Sequence, residues 1–146
     1  MTLRYKFLED IATADVAFLA EGDTLEELLE AAAMATTNVM VRNMNAIESR
    51  VTRTIKVTSD SEEGLLYRFL DDIIFYKDAE QLIFGKFEIR ITNVRNKQIE
   101  LTAQAHGEKL DRKKHDLVVD VKAVTYHEFR VERTKGGWKA NVILDI

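Results

Sequence analysis

The sequence predicts an α+β fold: a mainly antiparallel β-sheet with two α-helices packed on one face. Three observations predict it. Most of the chain from Leu82 onward alternates apolar and polar residues with a period of two. Two segments, beginning near Thr24 and Ser59, repeat instead at helical spacing. The strand-like runs are mostly joined by short polar turns, as in hairpins, which makes neighbouring strands antiparallel. No repeat, low-complexity tract or linker interrupts the pattern, so residues 1–146 read as a single domain, a length that supports one core.

Taken in order, Tyr5–Leu8 and Val16–Ala20 have strand character and flank the acidic, small-residue segment Glu9–Asp15. Thr24 is a predicted N-cap with Glu27 three residues on as its capping-box partner. Leu25, Leu28, Leu29, Ala32, Ala35 and Val39 then form one apolar stripe, and this helix should fade near Asn43. Arg50–Thr58 reads as a strand. A second helix starts between Ser59 and Glu63 in one of two capping registers, Ser59 with Glu62 or Asp60 with Glu63. Its stripe is Leu66, Phe69, Leu70, Ile73 and Ile74, widened by Leu65, Phe75 and Tyr76, which suggests burial against a sheet. Phe87, Ile89 and Ile91 alternate before a turn at Asn93–Lys97, and Ile99, Leu101 and Ala103 alternate after it. Val121–His127 reads as a strand rich in β-branched residues. Lys135-Gly136-Gly137 is a hairpin turn leading to the alternating Trp138, Ala140, Val142 and Leu144.

Composition narrows the function. The net charge is −4, which argues against bulk electrostatic gripping of DNA or RNA, although Arg112-Lys113-Lys114 is a local basic cluster. Cysteine is absent, so disulfides and thiolate chemistry are excluded. No apolar run approaches the roughly 20 residues that span a membrane and no signal-peptide pattern is present, so a cytoplasmic protein is expected. The six glycines form neither GxGxxG nor a P-loop.

A few residues could carry chemistry. Asp15, at the start of a predicted strand, is either a turn or cap residue or a rigidly held ligand for a hard metal. Asp145 and the carboxylate of Ile146 place two anionic groups one residue apart; they are either a solvated end or oxygen ligands for Ca²⁺ or Mg²⁺. Zinc is disfavoured, since no two histidines have ligand spacing. His106 lies in a turn-like context and His127 in a strand, and neither they nor His115 has a recognisable serine or cysteine nucleophile to serve. Lys122 is the most informative side chain. In a strand it shares a face with Val124 and Tyr126, so it either guards a sheet edge or meets a negative partner. Asp120 is one possible partner, and the acids Asp15 and Asp145 are another.

Taken together, Thr13-Ala14-Asp15-Val16, Thr24-Leu25-Glu26-Glu27, Leu65-Leu66 with Phe69-Leu70-Asp71, Gly107-Glu108, Lys114-His115, Val121 to His127 and Ile143-Leu144-Asp145-Ile146 resemble the archease family. The pieces cover nearly the whole chain, and the Val121–His127 run with its late aspartate is the specific part. One departure is Ala12, where many family members carry histidine. The resemblance implies a protein of tRNA splicing that is not itself an enzyme. It implies an activator of the RtcB-type RNA ligase, promoting the guanylylation that uses GTP and divalent metal at the ligase's own active site. It implies a divalent cation, calcium-type with Mg²⁺ or Mn²⁺ as options, held by Asp15, Asp145 and Ile146. It also makes Asp15, Lys122 and Asp145 the residues on which activation depends, with tRNA reached only through the ligase. Two rivals stand beside it. One is a metal-dependent phosphoesterase with His127 as base, which lacks ligands for a two-metal site. The other is an RNA-binding or chaperone module, which lacks a basic surface and a stacking motif.

Overall fold

A computed structural model describes residues 3–8 and 15–146. The order is β1 (Arg4–Leu8), β2 (Asp15–Gly22), α1 (Leu25–Met40), a 3₁₀ turn (Met44–Ala46), β3 (Val51–Ser59), α2 (Glu62–Glu80), β4 (Leu82–Val94), β5 (Gln98–Lys109), β6 (Ala123–Val124), β7 (Arg130–Thr134) and β8 (Gly137–Asp145). The α+β class is as expected, and every strand pairing is antiparallel. The strands divide into two sheets. One runs β1-β2-β8-β6, with β7 also on β8, and the other runs β3-β5-β4. Residues 9–14, including Ala12 and the Thr13-Ala14 pair, lie outside the described residues.

Both helices start where short polar side chains satisfy their first amides. At α1 the capping box forms as predicted: Glu27 N donates to Thr24 Oγ1 at 3.1 Å, and Thr24 N donates to Glu27 Oε1 at 3.1 Å. At α2 neither expected register forms. Ser61 is the N-cap and accepts from Gly64 N at 3.0 Å, while Ser59 Oγ accepts from Ser61 N at 3.3 Å. β3 therefore extends through Ser59, and the helix cap falls two residues later than a Ser59 cap would place it. Helix α1 ends at Met40 and does not continue to Asn43, because Val41 turns extended to bridge Leu117. Val118 N then donates to Met40 O and Arg42 N to Asp116 O, so the 116–118 segment takes over those backbone groups.

One hydrophobic cluster joins the layers. Phe18, Leu28, Leu29, Leu65, Leu66, Phe69, Phe84 and Val142 are all at or near zero exposure. Each such side chain contributes ~1.5–3 kcal/mol by burial. Phe75, expected to widen the α2 stripe, is instead 59% exposed, because the stripe is centred on Phe69, Leu70, Ile73 and Ile74. Gly107 permits the close approach of β5 to β4 beside the irregularity at Phe84/Lys86, where a Cβ would overlap the Ile83 carbonyl. Among the described residues no helix is long and apolar enough to cross a membrane.

The expected continuous strand Val121–His127 does not form. Only Ala123 and Val124 pair, with Asp145 and Leu144, and the chain then turns through Tyr126–Phe129 with Glu128 left-handed at φ 50°. Pairing on β8 resumes at Arg130↔Asn141. Five residues on this edge thus stand opposite two on β8. His127 lies in that turn, not in a strand, whereas His106 lies within β5, not in a turn.

Candidate functional site

Asp15 is the first residue of β2 and Asp145 the last of β8; antiparallel pairing places them directly opposite each other. Directly opposed residues share a face, with Cβ atoms about 4.5–5.5 Å apart. On its other side Asp145 is paired with Ala123 of β6. The ends of three strands therefore meet at one carboxylate pair. The next residues inward, Val16 and Leu144, turn to the opposite face, where Leu144 is buried. Asp15, Asp145 and Ile146 are all half-buried.

Lys122 joins this end through its backbone: its amide donates to the Asp145 carbonyl at 2.8 Å. The side chain is exposed, so the expectation of an ammonium set among apolar neighbours is corrected; Val121 and Val124 are buried, and the irregular backbone between them turns Lys122 outward. Tyr126 is 74% exposed and stacked on Tyr67, with ring centroids 3.9 Å apart. Among the described residues Lys122 forms no ion pair with Asp15 or Asp145. Asp120, the other suggested partner, is bound instead by Lys77 Nζ at 2.6 Å. Thr125 closes the edge, its N and Oγ1 donating to the Ile143 carbonyl at 3.1 and 3.0 Å.

The donor set suits a hard divalent cation. The two opposed carboxylates offer oxygen donors of the kind that Ca²⁺, Mg²⁺ and Mn²⁺ prefer. Among the described residues no cluster of three or more His, Cys, Asp or Glu forms, so no histidine completes a zinc-like or two-metal set with these acids.

A second acidic centre is buried. Glu108, at 5% exposure, accepts from Lys114 Nζ at 2.9 Å, from Glu48 N at 2.9 Å and from His115 Nε2 at 2.9 Å. Arg50 Nε adds an ion pair at 3.4 Å. Burial alone would raise the Glu108 carboxyl, but the bonds from Lys114, Glu48 and His115 outweigh it and bring it down to about 2. The Asp111 amide donates to His115 Nδ1 at 2.9 Å, so Nε2 carries the proton given to Glu108. His115 is thus an internal linker, 2% exposed. His106 is held between Glu88 and Thr52 across the sheet, at 2.6 and 2.8 Å.

Two residues escaped the sequence reading. Lys77 is 7% exposed and lies four residues past Ile73 on the apolar stripe of α2; a lysine at stripe spacing was the available signal. Glu108 gave no local sign of burial, being polar within a polar segment.

Fold and site together define a two-helix α+β protein in which antiparallel strand ends present a pair of acids. The archease protein family (MTH1598/TM1083) matches residues 5–146. The archease of Pyrococcus furiosus is 42% identical over 92% of this chain and 94% of its own, and that of Methanosarcina mazei 35% identical over 98% and 96%. The solution structure of Methanobacterium thermoautotrophicum protein 1598 superposes with a TM-score of 0.84 at 37% identity, covering 97% of this chain and 98% of that one. A Thermotoga maritima crystal structure, described as an archease and possible chaperone, shares the fold at TM-score 0.54 and 21% identity over 97% and 98%. The chain belongs to the archease family.

Proposed function

We propose that this protein is a non-enzymatic activator of an RtcB-type RNA ligase, acting in the cytoplasm on tRNA exon joining. It promotes guanylylation of the ligase and so permits repeated turnover, and it meets tRNA only through that partner. Family membership supports the reading, and one observation carries it: Asp15 opposes Asp145, and the amide of Lys122 is fixed to the Asp145 carbonyl. The three residues expected to govern activation are thus gathered at one end of one sheet.

Asp15, Asp145 and Ile146 would hold a divalent cation, most naturally calcium, which supplies positive charge between two otherwise repelling carboxylates. Asp15 and Asp145 orient their oxygens from the strand ends. Lys122, with its backbone anchored and its side chain exposed, presents an ammonium to an anionic group of the partner. An acidic end suits a basic ligase cleft, and opposed potentials speed such encounters.

The test mixes the protein with its cognate ligase at sub-stoichiometric enzyme, GTP and a 3′-phosphate RNA, and counts turnovers. Wild type should raise the count above one per ligase, and Asp15→Ala, Lys122→Ala and Asp145→Ala should not. Absence of stimulation by wild type rejects the proposal, and RNA or nucleotide cleavage without ligase favours the phosphoesterase.

A further inference from the structure

The buried ammonium of Lys77 connects α2 to the strand edge beside the acid pair. Lys77 lies in the last turn of α2, and its Nζ donates to Asp120 Oδ1 at 2.6 Å, to Asp78 Oδ1 and to the Val121 carbonyl at 2.8 Å. Three N–H donors thus have three oxygen acceptors, so the group is fully satisfied. Burial by itself favours loss of the proton, but the hydrogen bonds that the ammonium donates to Asp120 and Asp78 outweigh it and keep the group above its ordinary value and charged. Two of the acceptors lie 43 and 44 residues away, so the contact is a tertiary cross-link.

The chain beyond Val121 shows what is cross-linked. The next amide is that of Lys122, which donates to Asp145 O. Farther along, Tyr67 in the same helix donates its hydroxyl to the Val124 carbonyl at 3.1 Å. Lys77 and Tyr67 stand ten residues apart on α2, roughly 15 Å along the axis. One rigid helix therefore pins the backbone on both sides of Lys122-Ala123, while the Lys122 side chain stays exposed. Packing alone does not require this. Apolar side chains of similar volume in place of a whole buried ion pair are often neutral or stabilising, so burial of the charge is not what packing demands.

We infer that Lys77 is a positioning residue: from α2 it fixes the Val121 carbonyl and thereby sets where Lys122 lies against Asp145. The inference deepens the proposed function, since it rests on Lys122, Asp15 and Asp145 being the residues of activation.

The experiment uses the full chain carrying Lys77→Met, and separately Asp120→Asn, whose exposed side chain poses little risk to folding. Hydrogen exchange resolved by residue should be about tenfold faster at the Lys122 amide in Lys77→Met, with the β5 amides unchanged. Asp120→Asn should shift the same amide less, in the same direction. Maximal stimulation of ligase turnover, read at saturating protein, should fall several-fold in Lys77→Met. A purely structural loss lowers the folded fraction instead, raising the half-saturating concentration and leaving the maximum intact. Unchanged Lys122 exchange in either folded variant overturns the inference, as does an intact maximum in Lys77→Met where Lys122→Ala abolishes it. If Asp15→Ala and Lys122→Ala leave turnover untouched, the activator reading has failed, and the exchange measurement still decides what Lys77 holds.

Discussion

Glu108 and the Asp15–Asp145 pair each place negative charge near the end of a strand, yet their surroundings differ in kind. Glu108 is buried and receives Lys114, His115 and the Glu48 amide, with Arg50 beside it. Asp15 and Asp145 are half-buried, face each other, and among the described residues form no ion pair. A carboxylate whose lone pairs are filled from within the chain has no capacity left for a ligand, and its value is structural. Two opposed carboxylates that accept no side-chain donor among the described residues would carry repulsion that an external cation can relieve. Acid count alone would rank the two centres equally; the donors around Glu108 mark it as a linker and distinguish it from the pair proposed as a site.

The largest expected effect comes from deleting the internally paired acid. Glu108→Ala leaves the Lys114 ammonium, the His115 Nε2–H and the Glu48 amide without their acceptor, and should cost about 3 kcal/mol, as removal of one partner from a buried pair generally does. Urea unfolding measures it. At saturating folded protein, ligase stimulation should be unchanged, and a loss comparable to that of Asp15→Ala would erase the distinction drawn between the two centres. The converse variant is Asp15→Ala. Its stimulation of ligase turnover should drop by at least about tenfold, equivalent to roughly 1.4 kcal/mol, while its unfolding midpoint stays near that of wild type.

What the sequence disclosed follows the same division between local and distant partners. The Thr24 capping box was legible because cap and partner lie three residues apart. The alternating β4–β5 and β7–β8 hairpins were legible because each pair shares a short turn. The pairing of β2 with β8 was not, since more than a hundred residues separate the strands and periodicity says nothing of register between them. Asp15 and Asp145 were therefore visible as single candidates, and only the fold shows them opposed. The Val121–His127 run misled in one respect. Its β-branched composition promised a strand, but Glu128 in the left-handed region and the Tyr126–Tyr67 stack draw residues 126–129 away from β8, which leaves a two-residue β6. The buried roles of Glu108, His115 and Lys77 depend on tertiary neighbours, and of these only Lys77 gave a sign, by sitting on the apolar stripe of α2.

Acid titration sharpens the comparison further. The Glu108 carboxyl is depressed from 4.5 to about 2, so its contribution to stability is fully present above pH 4.5 and disappears as pH falls toward 2. Wild type should lose stability across that window, and Glu108→Gln should show a shallower slope there while being less stable at neutral pH. Equal slopes for the two proteins, measured by denaturant titrations at several pH values, would mean that Glu108 is not held in the ionised form by its donors.

The smallest predicted effect is the most discriminating, because its sign opposes that of Glu108. Like charges directly opposite on neighbouring strands destabilise a sheet, by a few tenths to about 1 kcal/mol. In chelator-treated protein at neutral pH, Asp145→Asn should therefore be slightly more stable than wild type, where loss of Glu108 is strongly destabilising. Calcium should reverse the order. A ligand that binds only the folded state adds about 1.4 kcal/mol at ten times its Kd, a gain open to wild type and closed to a variant lacking one of the two carboxylates. Thermal unfolding with and without calcium reads both halves. If Asp145→Asn is destabilised without metal, the pair is held by internal donors as Glu108 is. If calcium stabilises both proteins equally, the cation binds elsewhere and the opposed strand ends are not its site.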